Sequence, residues 1–406
     1  MLRAVLDVHG RALLVMLALC AWSLVALFAF VRGEGAWTMI GLPCLLAAAL
    51  VFWPSLRSFR AASLVVIAGF YVGLVVLESA IRWSAFGLDA LVYPARYTLD
   101  WIPMRRLDDS FNRYTFAPGF VGVLHGKPVR INRLGFRGAD FTPAHPGVVR
   151  VMAFGSSITT GEGMNEDETY PHVLADLLAE RTGAQVEGIN CGVVSYGMDQ
   201  ALDMARETVP TYTPDVVVVE VRTVGGAIDP TRGRFPSSPP AGRSRLTRMS
   251  FARRALAIVP DHLVAVVSRL HRRPDPGTAD DAPGALDRLE DGIERLAHPA
   301  DGRRPEVVVL LITPLSDPEG SGVTPAFASR LEALSRRTGA LVVDTAGIVK
   351  SSELPDAFVI FPGDAHPNAR ANARIAERVA GTLLHNEGFA STLQAARDGA
   401  PRDELP

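Results

Sequence analysis

The sequence predicts an α/β protein whose parallel sheet is covered by helices on both faces, preceded by three transmembrane helices. Three observations carry that expectation. Long uncharged apolar runs are confined to the first eighty or so of the 406 residues. From residue 148 onward, short apolar runs alternate with segments of helical period. The strongest of these runs, 216–221, is β-branched and introduced by Pro214 and Asp215, as a buried strand is. Strands alternating with helices argue for a parallel sheet between two helical layers.

The apolar runs come first in the chain. Residues 12–31, 36–53 and 61–77 carry no charge, and each is close to the ~20 residues that cross a bilayer as a helix. A cleaved signal peptide is the competing reading of the first run. Its apolar stretch exceeds the ~7–15-residue signal core, and two further runs follow. Arg3 and Arg11 precede the first run, Arg57 and Arg60 lie between the second and third, and the first loop holds only Arg32. By the positive-inside rule the amino terminus is cytoplasmic, so an odd number of spans puts the remainder on the far side. Arg82, Arg96, Arg105 and Arg106, after the third run, pull against that orientation.

Residues 1–81 are therefore read as the membrane region and 82–147, which lack a sustained period, as a juxtamembrane connector with an accessory segment. The α/β domain spans 148–387. Within it the pattern places strands at 148–154, 185–189, 216–221, 307–312 and 340–343. Helices fall at 171–181, 199–209, 286–296, 325–337 and 369–385. Residues 225–284, rich in Pro, Gly, Ser and Arg, read as an insertion with one amphipathic stretch at 251–270. The tail, 388–406, is polar and expected to be poorly ordered.

Composition narrows the function. With 41 basic and 43 acidic residues the net charge is −2, so no nucleic-acid partner is held by bulk charge. The lipid bilayer is the partner expected of residues 12–77. Cys20, Cys44 and Cys191 offer neither a disulfide framework nor a metal spacing. The histidines outside residue 366 form no metal spacing either. No cofactor is expected. Cys191 reads as a small buried hydrophobe. The acidic run 165–168 fits a solvated helix start better than a cation site. Arg243, Arg245, Arg248, Arg253 and Arg254 read as a solvated basic stretch, with lipid headgroups or an anionic glycan as the alternative.

Two stretches carry chemistry. The run RVMAFGSSITTG, residues 150–161, ends a strand and enters a small-residue turn at the carboxyl edge of the sheet. A serine there can reach a ligand, although on this stretch alone helix capping by Ser156 and Ser157 is the simpler reading. It is neither a Gly-x-Ser-x-Gly elbow nor a phosphate loop. The run FPGDAHPN, residues 361–368, precedes the last helix. Serine needs a base to take its proton and that base needs an orienting partner, which His366 and Asp364 can supply. The loop follows the last strand and can fold back over the end of the first.

Together these blocks resemble the SGNH, or GDSL-type, hydrolase family. The similarity takes in SSITTG, the following GEGMNEDETYP (161–171), and the upstream INRLGFR (131–137), which is similar to a segment of membrane-attached members. It covers roughly 131–220 and 307–380. The resemblance implies a three-layer flavodoxin-like fold, the SGNH hydrolase fold, with Ser157 as nucleophile, His366 as base and Asp364 as its partner. The family aspartate before the nucleophile is Ser156 here. The usual oxyanion glycine falls on Ser195, whose backbone N–H still serves, alongside that of Ser157. The family asparagine of the third block falls near Val224 and is missing; Arg222 or Thr223 is the candidate substitute donor.

The resemblance thus implies ester chemistry through an acyl-enzyme on Ser157, with water or a glycan hydroxyl as acceptor. The envelope location points to a glycan or lipid ester. A non-catalytic envelope binding or assembly module is the alternative, and a lipase lidded by residues 251–270 a further one.

Overall fold

The computed structural model describes residues 104–107, 114–124, 127–143, 146–224, 226–229, 284–299, 302, 304–315, 323–360 and 366–398, with scattered positions between 69 and 88. The chain divides into two compact units, and every element below belongs to the larger, Arg96–Arg248 with Pro274–Pro406. The three expected membrane runs, the amphipathic stretch 251–270 and Asp364 lie outside the described residues, apart from scattered positions of the third run. Among the described residues no helix is long and apolar enough to cross a membrane.

The central sheet is parallel. Its strands are β5 (Val148–Gly155), β6 (Gln185–Gly192), β7 (Val216–Val224), β9 (Glu306–Ile312) and β10 (Leu341–Asp344), in the order β10-β9-β7-β5-β6. Numbered by first appearance in the sheet this is 2-1-3-4-5, the flavodoxin-like order. A short β8 (Ala227–Ile228) folds back antiparallel on the end of β7.

Strand side chains alternate between two helical layers, as the pleat requires. On one face Met152, Phe154, Val217, Val219, Val309 and Leu311 pack beneath α3 (Met198–Tyr212), α4 (Ala285–Ala297) and α5 (Pro325–Thr338). On the other, Val151, Ala153, Val216, Val218, Val308 and Leu310 pack beneath α2 (Tyr170–Thr182), α6 (Ala369–Leu384) and α7 (Glu387–Asp398). The three layers and parallel sheet agree with the alternation in the sequence. Gly188 is required between β6 and α2, because a Cβ there would stand 2.6 Å from the Pro171 carbonyl oxygen.

Two expectations about the flanks are corrected. The connector is not accessory throughout. Its hairpin β3 (Val121–Leu124) and β4 (Lys127–Arg130), together with β2 (Tyr114–Phe116), places Tyr114, Phe116, Val129, Ile131 and Phe136 in the core above α3. These apolar residues are too widely spaced to show a period, yet they cover the outer strand β6. The polar tail is also ordered over its first part: α7 carries Phe389, Leu393 and Ala396 on one stripe, and Phe389 is fully buried. Three apolar residues at spacings of three and four were enough to dock the helix.

Candidate active site

The nucleophile turn is built from the sheet edge upward. Strand β5 ends at Gly155, and the one-turn helix α1 (Ser157–Thr160) begins at once, capped by the Ser156 hydroxyl accepting from the Ile158 N–H at 3.3 Å. Ser156 therefore does take the capping role weighed for it. Its hydroxyl also donates to Glu220 Oε1 at 2.5 Å, and its N–H to Glu220 Oε2 at 3.0 Å.

Glu220 is the anchor of this turn. It is buried in β7, and it also accepts from the Thr159 N–H at 3.0 Å and the Thr159 hydroxyl at 2.5 Å. A Cβ on Gly155 would collide with both Glu220 and Thr159. The Thr159 hydroxyl also meets the buried Tyr170 phenol at 2.9 Å, whose pKa burial pushes up.

The far end of α1 is held by two more elements. Asn190 on β6 donates to the Thr159 carbonyl at 2.7 Å. Arg137, almost fully buried, donates to the carbonyls of Thr160 at 2.9 Å, Gly161 at 2.5 Å and Met164 at 2.5 Å. Burial lowers the Arg137 pKa to about 10, and the charges of Glu166, Glu168, Asp167 and Glu162 oppose that shift, so it remains a cation at neutral pH. The acidic run is thus accounted for by cations: Arg137 beneath it, Lys127 at 3.6 Å from Glu168 and Arg130 at 3.8 Å from Glu166. Among the described residues no His, Cys, Asp and Glu cluster could hold a metal ion.

The base comes from the other end of the domain. Asn368 caps α6 by accepting from the Ala371 N–H at 3.2 Å, and it ties the preceding loop down through the Ala357 and Val359 carbonyls. A short antiparallel bridge joins Val359 to Pro367, and the Ile360 N–H donates to the His366 carbonyl at 3.1 Å. This places His366 Nε2 2.8 Å from Ser157 Oγ, across 209 residues of chain. A serine hydroxyl within hydrogen-bond reach of an imidazole is the geometry nucleophilic catalysis needs. Glu162 shares the same nitrogen, with Oε2 at 3.3 Å.

The oxyanion side is backbone. Ser195 is exposed at φ 65°, a left-handed conformation that favours glycine. That explains why the family's glycine falls there. Among the described residues neither the Ser157 nor the Ser195 N–H donates to a protein acceptor.

Arg222, the candidate substitute donor, is paired with Asp229 at 3.0 Å and lines a cleft with Gly155, Ser156, Tyr196 and Glu220. Thr223 is buried and its hydroxyl turns to the Ile312 carbonyl at 3.3 Å. Cys191 is buried, with its thiol pushed well above the ordinary range by burial, and so packs as a hydrophobe.

Residues 153–374, more than half of the chain, match the model of the GDSL-like lipase/acylhydrolase family. The chain belongs to that family. Similar GDSL-type and α/β hydrolase structures include an acetylxylan esterase from Geobacillus stearothermophilus, at 14% identity over 59% of this chain and 95% of that one, with a TM-score of 0.35. A member of the lipolytic G-D-S-L family from Veillonella parvula is 14% identical over 59% of this chain and 100% of that one, with a TM-score of 0.35. LAE5, an α/β hydrolase enzyme from the metagenome of Lake Arreo, Spain, is 15% identical over 60% of this chain and 96% of that one, with a TM-score of 0.36. No match to a curated protein was found.

Sequence reasoning missed three residues of this GDSL-like site: Arg137, Glu162 and Glu220. The last had a visible signal, as the single carboxylate within the valine run 216–221. Arg137 and Glu162 lay in quoted motifs, but neither motif shows that one folds onto the other.

Proposed function

We propose that the chain is a membrane-anchored serine esterase or O-acyltransferase that works through an acyl-enzyme on Ser157. The observation that carries this reading is the 2.8 Å contact between Ser157 Oγ and His366 Nε2. Ser157 attacks the acyl carbonyl while His366 accepts its proton. The N–H groups of Ser157 and Ser195 stabilise the developing oxyanion. His366 returns the proton to the leaving alcohol, and water or an acceptor hydroxyl then releases the acyl group. Asp364 is the orienting partner that the family resemblance assigns to His366.

The absent third-block asparagine is the observation that favours the non-catalytic alternative, since Arg222 is tied to Asp229 rather than replacing it. Losing one oxyanion donor slows an enzyme by about 10²–10³, whereas losing the nucleophile or base costs on the order of 10⁶. A chain that keeps both residues in contact retains the larger share, so the catalytic reading is preferred.

The anchor rests on the three uncharged runs, and the outward orientation on the arginines around them. An ester of a cell-envelope glycan or lipid is the substrate class that location suggests. The test is hydrolysis of p-nitrophenyl acetate by the membrane-extracted protein. Ser157→Ala and His366→Ala each reduce kcat by on the order of 10⁴-fold or more. Equal rates in all three proteins contradict the reading.

A further inference from the structure

Glu162 occupies a constructed position that the proposed triad does not explain. It lies between Gly161 at φ 77° and Gly163 at φ 71°, both left-handed. Neither glycine is replaceable for steric reasons: a Cβ on Gly161 would collide with Thr169, and one on Gly163 would stand 2.7 Å from Ile360. The Glu162 N–H donates to the Ser157 carbonyl at 3.2 Å. Arg137 grips the chain on both sides of it, through the carbonyls of Gly161 and Met164. The carboxylate so held is only 12% exposed and reaches the nitrogen that faces the nucleophile.

We propose that Glu162 selects the alcohol portion of the ester, favouring a polyol whose second hydroxyl donates to this carboxylate. The proposal rests on the serine-esterase reading above. In acylation the bond from Ser157 Oγ to the acyl carbon forms and the bond to the alcohol oxygen breaks. The proton passes from Ser157 through His366 Nε2 to that oxygen. The alcohol oxygen must therefore come within about 2.6–3.2 Å of Nε2. Glu162 Oε2, at 3.3 Å from the same nitrogen, is then its neighbour.

An incoming alcohol displaces water from the carboxylate. A simple alkyl alcohol returns no donor to it, and an ionised group stripped of its donors is costly. A hydroxyl beside the reacting oxygen restores a charge-assisted hydrogen bond. The same geometry operates in reverse, when an acceptor hydroxyl gives its proton to Nε2 and takes the acyl group. Glu162 thereby becomes a determinant of the acceptor as well.

The experiment compares kcat/KM for glycerol monoacetate and propyl acetate, two acetates that differ in the neighbouring hydroxyls. The full chain favours the glycerol ester by about tenfold or more, since sites built to bind a hydroxyl reject its absence. Glu162→Ala brings the ratio to within about twofold of unity, and Glu162→Gln, which keeps one acceptor oxygen, gives an intermediate ratio. Fluorophosphonate labelling of Ser157 in every variant reports an intact nucleophile; should Glu162→Ala fail to fold, Glu162→Gln supplies the comparison. A ratio near one in the unaltered protein overturns the proposal. So does a preference that survives Glu162→Ala, or an equal loss on both esters, which would leave Glu162 merely stabilising the charged imidazole. If the unaltered protein hydrolyses neither ester and Ser157 takes no label, the serine-esterase reading itself fails.

Discussion

Ser195 is the residue where backbone and side-chain roles can be told apart. An L side chain in the left-handed region costs about 1–2 kcal/mol, and glycine removes that penalty while losing about 0.5–1 kcal/mol to chain entropy. Ser195→Gly is therefore nearly neutral for stability. If the N–H is the oxyanion donor, kcat/KM for a neutral ester stays within about threefold, against the ~10²-fold loss that removal of a donor brings. Steady-state kinetics on the variant decide between the N–H and the hydroxyl. Glu220 answers a different question at the same scale. Its carboxylate accepts from two N–H groups and two hydroxyls of the nucleophile turn. Glu220→Ala leaves those buried donors without an acceptor and lowers stability by on the order of 3 kcal/mol. Urea denaturation measures the loss, and kcat falls with it because Ser157 is no longer held.

Individual elements differ in how far the sequence announced them. The five sheet strands and the helices between them follow directly from their periods, because each is long and buries one face or both. The flanks were harder to read. Tyr114, Phe116 and Val129 belong to strands of three or four residues, too short for an alternation to stand out, and only their burial against α3 assigns them to the core. Helix α7 was masked by its polar neighbours, although Phe389 is buried completely. Its contribution is open to measurement: Phe389→Ala removes a large side chain from the core and costs about 3–5 kcal/mol in chemical denaturation. A change below about 0.5 kcal/mol, the range of ordinary surface substitutions, would mean that the helix does not dock.

The whole molecule joins residues that the chain keeps far apart. In the 2-1-3-4-5 order, strands β5 and β7 meet at the topological switch point, where ligands of open α/β sheets bind. Ser157 follows the first of these strands and Glu220 lies in the second. Two motifs 209 residues apart in sequence could be suspected of meeting there, since one ends the first strand and the other follows the last. What composition and spacing did not disclose is the support beneath them. The grip of Arg137 on the Glu162 turn and of Glu220 on α1 exists only once four separate segments have folded together.

The central claim is that His366 activates Ser157. The most direct measurement is labelling of the intact protein by a fluorophosphonate, with the adduct mapped by mass spectrometry. A single adduct on Ser157, formed at a rate that His366→Ala lowers by about 10³-fold or more, is the expected result. A folded protein that takes no label on Ser157, or labels it equally fast without His366, contradicts the account.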